Sequence, residues 1–188
     1  MQRLSTQELL AEYHSGRRDF NEVDLSQAYL FQAQLSEANF SKSDLTDIHL
    51  PYANLSQTNF QNSILQAAEL SHSQLYQACL ANTNLRGAKL SRASLRFANL
   101  ANADLTGADL QAADLSHANL SGANLSHANL ANANLDNTNF TNTELTGANL
   151  FRARNFNLAA TQVTPTTTLP DGHRLQEEDL PQNREPGE

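Results

Sequence analysis

Tryptophan is absent from this chain of 188 residues, and cysteine and methionine occur once each. A lone cysteine, Cys79, excludes an intramolecular disulfide framework and a cysteine-based metal cluster. No run of about 18 apolar residues occurs, so there is no candidate membrane span. The N-terminal segment likewise lacks the apolar stretch of a signal peptide, which makes the cytoplasm the expected setting. Aromatic residues make up 6% of the chain and all hydrophobic residues 39%, with a mean hydropathy of −0.52. That is a thin supply for an ordinary globular core, so burial has to come from regular arrangement instead of bulk. Bases are outnumbered, 12 against 20 acids, and a net charge of −8 disfavours nonspecific binding to nucleic acid or to an anionic membrane surface.

What the chain does have is order at a period of five. From Phe20 to Leu150 every residue whose number is a multiple of five is Leu or Phe, 27 positions in all. Two residues earlier stands a small side chain, mostly Ala, as at Ala28, Ala38 and every fifth position from Ala88 to Ala133. Ser or Thr replaces it at Ser43, Thr58, Ser73 and Thr143, and Val23 and Ile48 are the larger exceptions. The residue just before the Leu is often Asn or Asp. A helix would spread positions five apart around its circumference, and a strand would alternate them between two faces. A chain that turns a corner every five residues puts all of them inside. Four corners close a square coil of 20 residues, and successive coils stack at the spacing of strands, about 4.8 Å.

Residues 20 apart should then show order of their own, and they do. All four Phe at the core positions, Phe20, Phe40, Phe60 and Phe140, fall on one side. Charges alternate along columns, with Glu22 below Lys42, Arg17 below Glu37, and Glu69, Lys89 and Asp109 in sequence. Asp24 below Asp44 is the counterexample. A column of Asp19, Asn39, Asn59, Cys79, Asn99, Asn119 and Asn139 can form a ladder of amide hydrogen bonds, a structural role for the abundant Asn.

The tandem A-(D/N)-L-X-X pattern over residues 18–154 closely resembles the pentapeptide-repeat family. The resemblance implies an all-β, right-handed quadrilateral parallel β-helix, here of about seven 20-residue coils. It also implies that the Leu/Phe position and the small residue two before it point inward.

Solenoid ends need protection, because an uncovered terminal coil exposes both core and β-edge. Ser5-Thr6-Gln7-Glu8 fits a capping box, and Leu4 with Leu9 fits a hydrophobic staple. The sequence therefore predicts a short helix over about 6–14, within a helical cap of residues 1–17. Asn155 breaks the Leu register. Phe151, Phe156, Leu158 and Val163 supply apolar material for a C-terminal cap at residues 155–172, and residues 173–188 form an acidic tail expected to be flexible.

Chemistry is harder to find. His117 and His127 lie two sides apart, and the other His residues sit on separate columns or outside the coils, so no ligand set forms. No His and Asp converge on any Ser, and no Gly-rich phosphate loop occurs. Neither a cofactor nor a metal is expected, and the chain reads as a non-enzyme.

The outer surface remains. Tyr29, Phe31, Pro51 and Tyr52 gather on one side of the first coils at outward or corner positions, a candidate partner patch unless the N-terminal helix covers it. A second candidate is Tyr76, Arg92, Arg96 and Phe97, within a basic cluster that includes Arg86 and Lys89 and is partly neutralised by nearby acids. The family resemblance also brings in mimicry of duplex DNA by an acidic β-helix that binds type II topoisomerases such as gyrase. Magnitudes oppose it: residues 20–155 hold eleven acids and seven bases, a net of −4. Duplex DNA of the same length, about 33 Å, carries on the order of 20 charges. The unbroken register also leaves no room for the projecting loops of gyrase-protecting members. The expectation is a monomeric scaffold or interaction module whose partner is another protein, with DNA mimicry as the alternative. Substituting Leu110→Asp in mid-stack should abolish soluble folded protein, and a well-folded variant by circular dichroism would overturn the assigned interior.

Overall fold

The structure is a computed structural model that describes residues 1–157 and 164–174. Residue n bridges residue n+20 in parallel through four ladders. Face 1 runs up from Asp19 and Asn39, face 2 from Asp24 and Asp44, face 3 from Tyr29 and His49, and face 4 from Gln34 and Asn54. Up to Asn149 the bridging residue is the one before the buried Leu or Phe, whose side chain fills the interior with the small residue two positions earlier. Leu110, in mid-stack, is fully buried.

Each corner begins at the buried residue. The N–H three positions on donates back to its carbonyl, as Ala28 does to Leu25 at 3.1 Å. The residue two past it is left-handed, with φ between +52° and +62° wherever it is not glycine. This is the signature of a type II turn. An L residue in that region costs about 1 kcal/mol or more, and backbone hydrogen bonds offset it. Leu25 N–H donates to the Asp44 carbonyl at 2.8 Å, Gln27 N–H to Thr46 at 2.9 Å, and Asp44 N–H returns to Val23 at 2.9 Å. The fifth donor is met by a side chain: Ser26 N–H reaches Asp24 Oδ1 at 2.9 Å. In this repeat all five N–H groups are thereby satisfied, as a regular backbone favours. Asn and Asp precede the Leu because they cap this corner donor.

The same amides form the expected ladder on face 1. Asn39 Nδ2 donates to Asp19 Oδ1 at 2.9 Å, Asn59 to Asn39 at 3.1 Å, and Asn139 to Asn119 at 3.1 Å, with Cys79 interrupting. Asp24 and Asp44 do stack, but each carboxylate turns to its own corner. Asp24 accepts the hydroxyl and N–H of Ser26, and Asp44 those of Thr46. The Ser26 hydroxyl, then its N–H, hold Asp24 below the usual carboxylate range, and Arg3 assists. Inward Thr residues find carbonyls one coil below, as Thr143 does with Leu120 at 2.8 Å. Ser73 Oγ is buried with no partner among the described residues. Phe20, Phe40 and Phe60 stack inside face 1, with centroids 5.6 and 5.7 Å apart.

At the N-terminal end β1 (Gln2–Arg3) pairs in parallel with β2 (Val23–Asp24), adding a rung below face 2 that the sequence reading did not anticipate. Helix α1 (Thr6–His14) follows, with its capping box closed in both directions and Leu9 and Tyr13 buried. It starts below the corner between faces 2 and 3. Tyr13 reaches the opposite corner, between faces 4 and 1, where its hydroxyl donates to the Ser36 carbonyl at 2.9 Å. The helix thus crosses the end of the prism diagonally. Arg17 pairs with Glu12 of this helix and not with Glu37, because the turn after α1 brings Glu12 closer than the next coil.

At the other end Thr168 bridges Asn149, a step one residue shorter than the standard rung. Thr167 and Thr168 repeat the inward and bridging roles, and an antiparallel bridge from Thr168 to Arg174 then ends the stacking on face 3. Phe156 packs edge-on against Phe140 as cap material, whereas Phe151 stays exposed, with the Arg152 guanidinium 4.9 Å from its ring centroid. Leu158, Val163 and nearly all of the acidic tail lie outside the described residues.

Gly87 isolates the corner cost: its φ is +64°, and an added Cβ would meet nothing within 4 Å. Gly87→Ala should lower stability by about 1 kcal/mol, read by urea denaturation. An unchanged midpoint would show that the corner is unstrained.

Candidate interaction surface

The stacking distance that builds the core also arranges the outer surface. Side chains 20 residues apart leave the prism one strand spacing apart, close to the separation at which flat rings stack. On face 3 and the corner after it, this produces a connected aromatic cluster. Tyr29 stacks on His49 with centroids 4.2 Å apart and planes 5° from parallel. Tyr52, at the left-handed corner position, stacks on His72 at 4.6 Å, and Phe31 meets the Tyr52 ring edge-on at 5.8 Å. Pro51, on the rung above Phe31, is half-buried.

The diagonal helix leaves this cluster open. Tyr29 is 71% exposed, Phe31 62% and Tyr52 50%, values that exclude packing beneath a cap. The sequence reading named Tyr29, Phe31, Pro51 and Tyr52 but missed His49 and His72, which it weighed only as metal ligands. The step of 20 from Tyr29 to His49 and from Tyr52 to His72 was the available signal.

The second candidate patch divides. Tyr76, Arg96 and Phe97 share the corner after face 4, where Tyr76 meets Phe97 edge-on at 5.8 Å and Phe97 stacks on His117 at 4.7 Å. Arg96 lies 6.0 Å from the Phe97 ring centroid and 3.9 Å from Asp114. Arg92 does not join them. It occupies the corner after face 3, on the rung above His72 and two above Tyr52, because corner residues five apart in sequence belong to different edges of the prism.

Charge is dispersed. Lys42 pairs with Glu22 at 3.5 Å, Lys89 with Glu69 at 3.4 Å and Arg86 with Asp104 at 3.3 Å. The most acidic ladder, on face 2, is broken by Ile64 and Asn84 between Asp44 and Asp104. His117 and His127 stand on opposite corners. Among the described residues no group of three or more His, Cys, Asp or Glu is placed to hold a metal ion, and no helix is long and apolar enough to cross a membrane.

A four-sided solenoid that presents its features as columns on its flanks, with the interior filled, is a repeat scaffold. Eight copies of the pentapeptide-repeat profile match the sequence, over residues 18–47, 53–92, 78–116, 88–126 and 118–154. The chain belongs to the pentapeptide-repeat family, whose members form right-handed quadrilateral β-helices. Among solved structures it is similar to a trypsin-treated form of QnrB1, a plasmid-mediated fluoroquinolone resistance protein, at 21% identity and a TM-score of 0.74, over 80% of this chain and 77% of that one. At that identity the likeness is one of fold. It is also similar to HetL, a pentapeptide repeat protein involved in heterocyst differentiation regulation from the cyanobacterium Nostoc, at 29% identity and a TM-score of 0.38, covering 92% of this chain and all (100%) of that one. No curated protein matches it in sequence.

Tyr13 is buried, whereas Tyr29, Tyr52 and Tyr76 are exposed. Brief nitration followed by peptide mass spectrometry should modify those three and spare Tyr13. Early modification of Tyr13 would show that α1 does not hold the end of the prism.

Proposed function

We propose that this protein is a non-enzymatic, monomeric scaffold that binds another protein through the aromatic cluster on face 3 and its following corner. Tyr29, Phe31, Pro51 and Tyr52, with His49 and His72, form the contact. The observation that carries this reading is the exposure of three large aromatic side chains side by side on a solenoid whose other outward positions are mostly small or polar. Rings held by stacking lose little further freedom when a partner covers them, and aromatic anchors dominate binding energy at interfaces. The second corner, with Tyr76, Arg96 and Phe97, is smaller, and Asp114 already sits near its cation.

DNA mimicry receives less support. A mimic needs a continuous acidic stripe, and here each acidic column is interrupted by neutral residues or by paired bases.

The test compares the intact protein with a Tyr29→Ala, Phe31→Ala, Tyr52→Ala triple variant, shown by circular dichroism to be folded, as baits in source-cell lysate. A partner retained by the intact protein should be lost from the variant. Equal capture by both would sink this reading, and equal capture of a type II topoisomerase would favour the acidic-surface alternative.

A further inference from the structure

The backbone beneath the aromatic cluster is open. Every face has a lowest rung, and the chain treats the four differently. Face 2 is covered by β1, with Leu4 N–H donating to the Asp24 carbonyl at 3.1 Å and Leu4 itself buried. On face 1 the Asp19 carbonyl accepts Arg17 Nε at 2.6 Å. On face 4 the Ser36 carbonyl accepts the Tyr13 hydroxyl, while the Gln34 N–H and carbonyl have no partner among the described residues. On face 3 the Tyr29 N–H, the Tyr29 carbonyl and the Phe31 carbonyl have no partner among the described residues. Ala28, at a position that is buried on most other rungs, is partly exposed there. This follows from the path of α1, which cuts diagonally and never runs along face 3.

Open edges are normally protected by charge, proline or a covering element. The stretch from Leu25 to Ser36 contains no charged residue and no proline. The neutral edge therefore neither repels nor blocks an incoming strand, and it lies directly below the exposed rings of Tyr29 and Phe31.

We propose that the partner contributes an uncharged extended segment that adds a strand beneath face 3, along Tyr29–Phe31, a deepening that rests on the interaction-scaffold reading above. The geometry is the one the molecule already uses next door. As Leu4 N–H donates to Asp24, a guest N–H donates to the Tyr29 carbonyl, a guest carbonyl accepts the Tyr29 N–H, and the guest runs parallel to face 3. Its residue equivalent to Leu4 is apolar and covers Ala28. Main-chain pairing supplies affinity, and the aromatic cluster supplies selectivity. A charged segment would leave its charge against a neutral, partly apolar rim, so neutrality is part of the proposal.

The probe is a library of short displayed random peptides selected on the intact protein. Enriched peptides should be uncharged and alternate apolar with polar residues. Binding should slow hydrogen exchange at the Tyr29 amide by about tenfold or more. Tyr29→Pro removes the ring and the donor, whereas Tyr29→Val removes only the ring. The proline variant should bind about tenfold more weakly than the valine one, the share of one lost hydrogen bond. The exchange measurement stands even if Tyr29→Pro misfolds. Unchanged exchange at saturating peptide, equal binding by the two variants, enrichment of charged peptides or no enrichment would each overturn the strand proposal. Self-association that only Tyr29→Pro abolishes would overturn it too, in favour of a second copy. Equal binding by the two variants, together with loss on Phe31→Ala, Tyr52→Ala, would leave the aromatic reading standing. Selected peptides indifferent to all four substitutions would remove both.

Discussion

The whole structure depends on one corner, repeated without a slip. Two residues past each buried Leu the chain enters the left-handed region, and the N–H of that same residue donates to the coil above. The local conformation is costly for an L residue, and it persists because the backbone hydrogen bonds it makes to the neighbouring coils offset the cost. With the corner fixed, each side is too short for anything but one bridging residue, one inward Leu and one inward small side chain. The 20-residue rung, the column arrangement and the filled interior all follow from that.

A surface built this way is organised in columns one residue wide. Whatever stands 20 residues apart is in contact, and whatever is five apart is on another flank. Two of the ion pairs, Lys42 with Glu22 and Lys89 with Glu69, are rung-to-rung neighbours of this kind, exposed enough that each contributes little to stability. A binding patch needs side chains of one character on successive rungs of the same column or its neighbour. Tyr29, His49, Phe31, Tyr52 and His72 meet that condition. Arg92 extends their column with a cation, while the corner of Tyr76, Phe97 and His117 repeats the motif on a smaller scale.

The two ends differ in how they stop the stacking. At the C-terminal side face 3 receives one more rung through Thr168, shortened by one residue, and then an antiparallel turn that forbids another parallel strand. At the N-terminal side the stop is a helix laid across the diagonal, which seals the interior without following the perimeter. A helix has no backbone groups to spare for a β-edge, so sealing the core and sealing the edge become separate problems. Along Tyr29–Phe31 of face 3, and at Gln34 of face 4, only the first is solved.

The amino-acid sequence by itself determined the interior, the four sides and the capping box. Leu every five residues, Phe at a step of 20, and Ser5 with Glu8 each act through contacts at fixed sequence spacing. For the same reason the Asn column was legible as a ladder. Features that depend on the path of a non-repeating segment were not. The strand at Gln2–Arg3, the pairing of Arg17 with Glu12 and the shortened step to Thr168 leave no periodic trace. The exposure of Tyr29 and Phe31 belongs with them: the residues were visible in the sequence, but whether they were covered depended on the direction α1 takes across the first coil. Only the tertiary structure decided that, because a nine-residue helix can cross a square end along a side or along a diagonal with the same buried Leu9 and Tyr13.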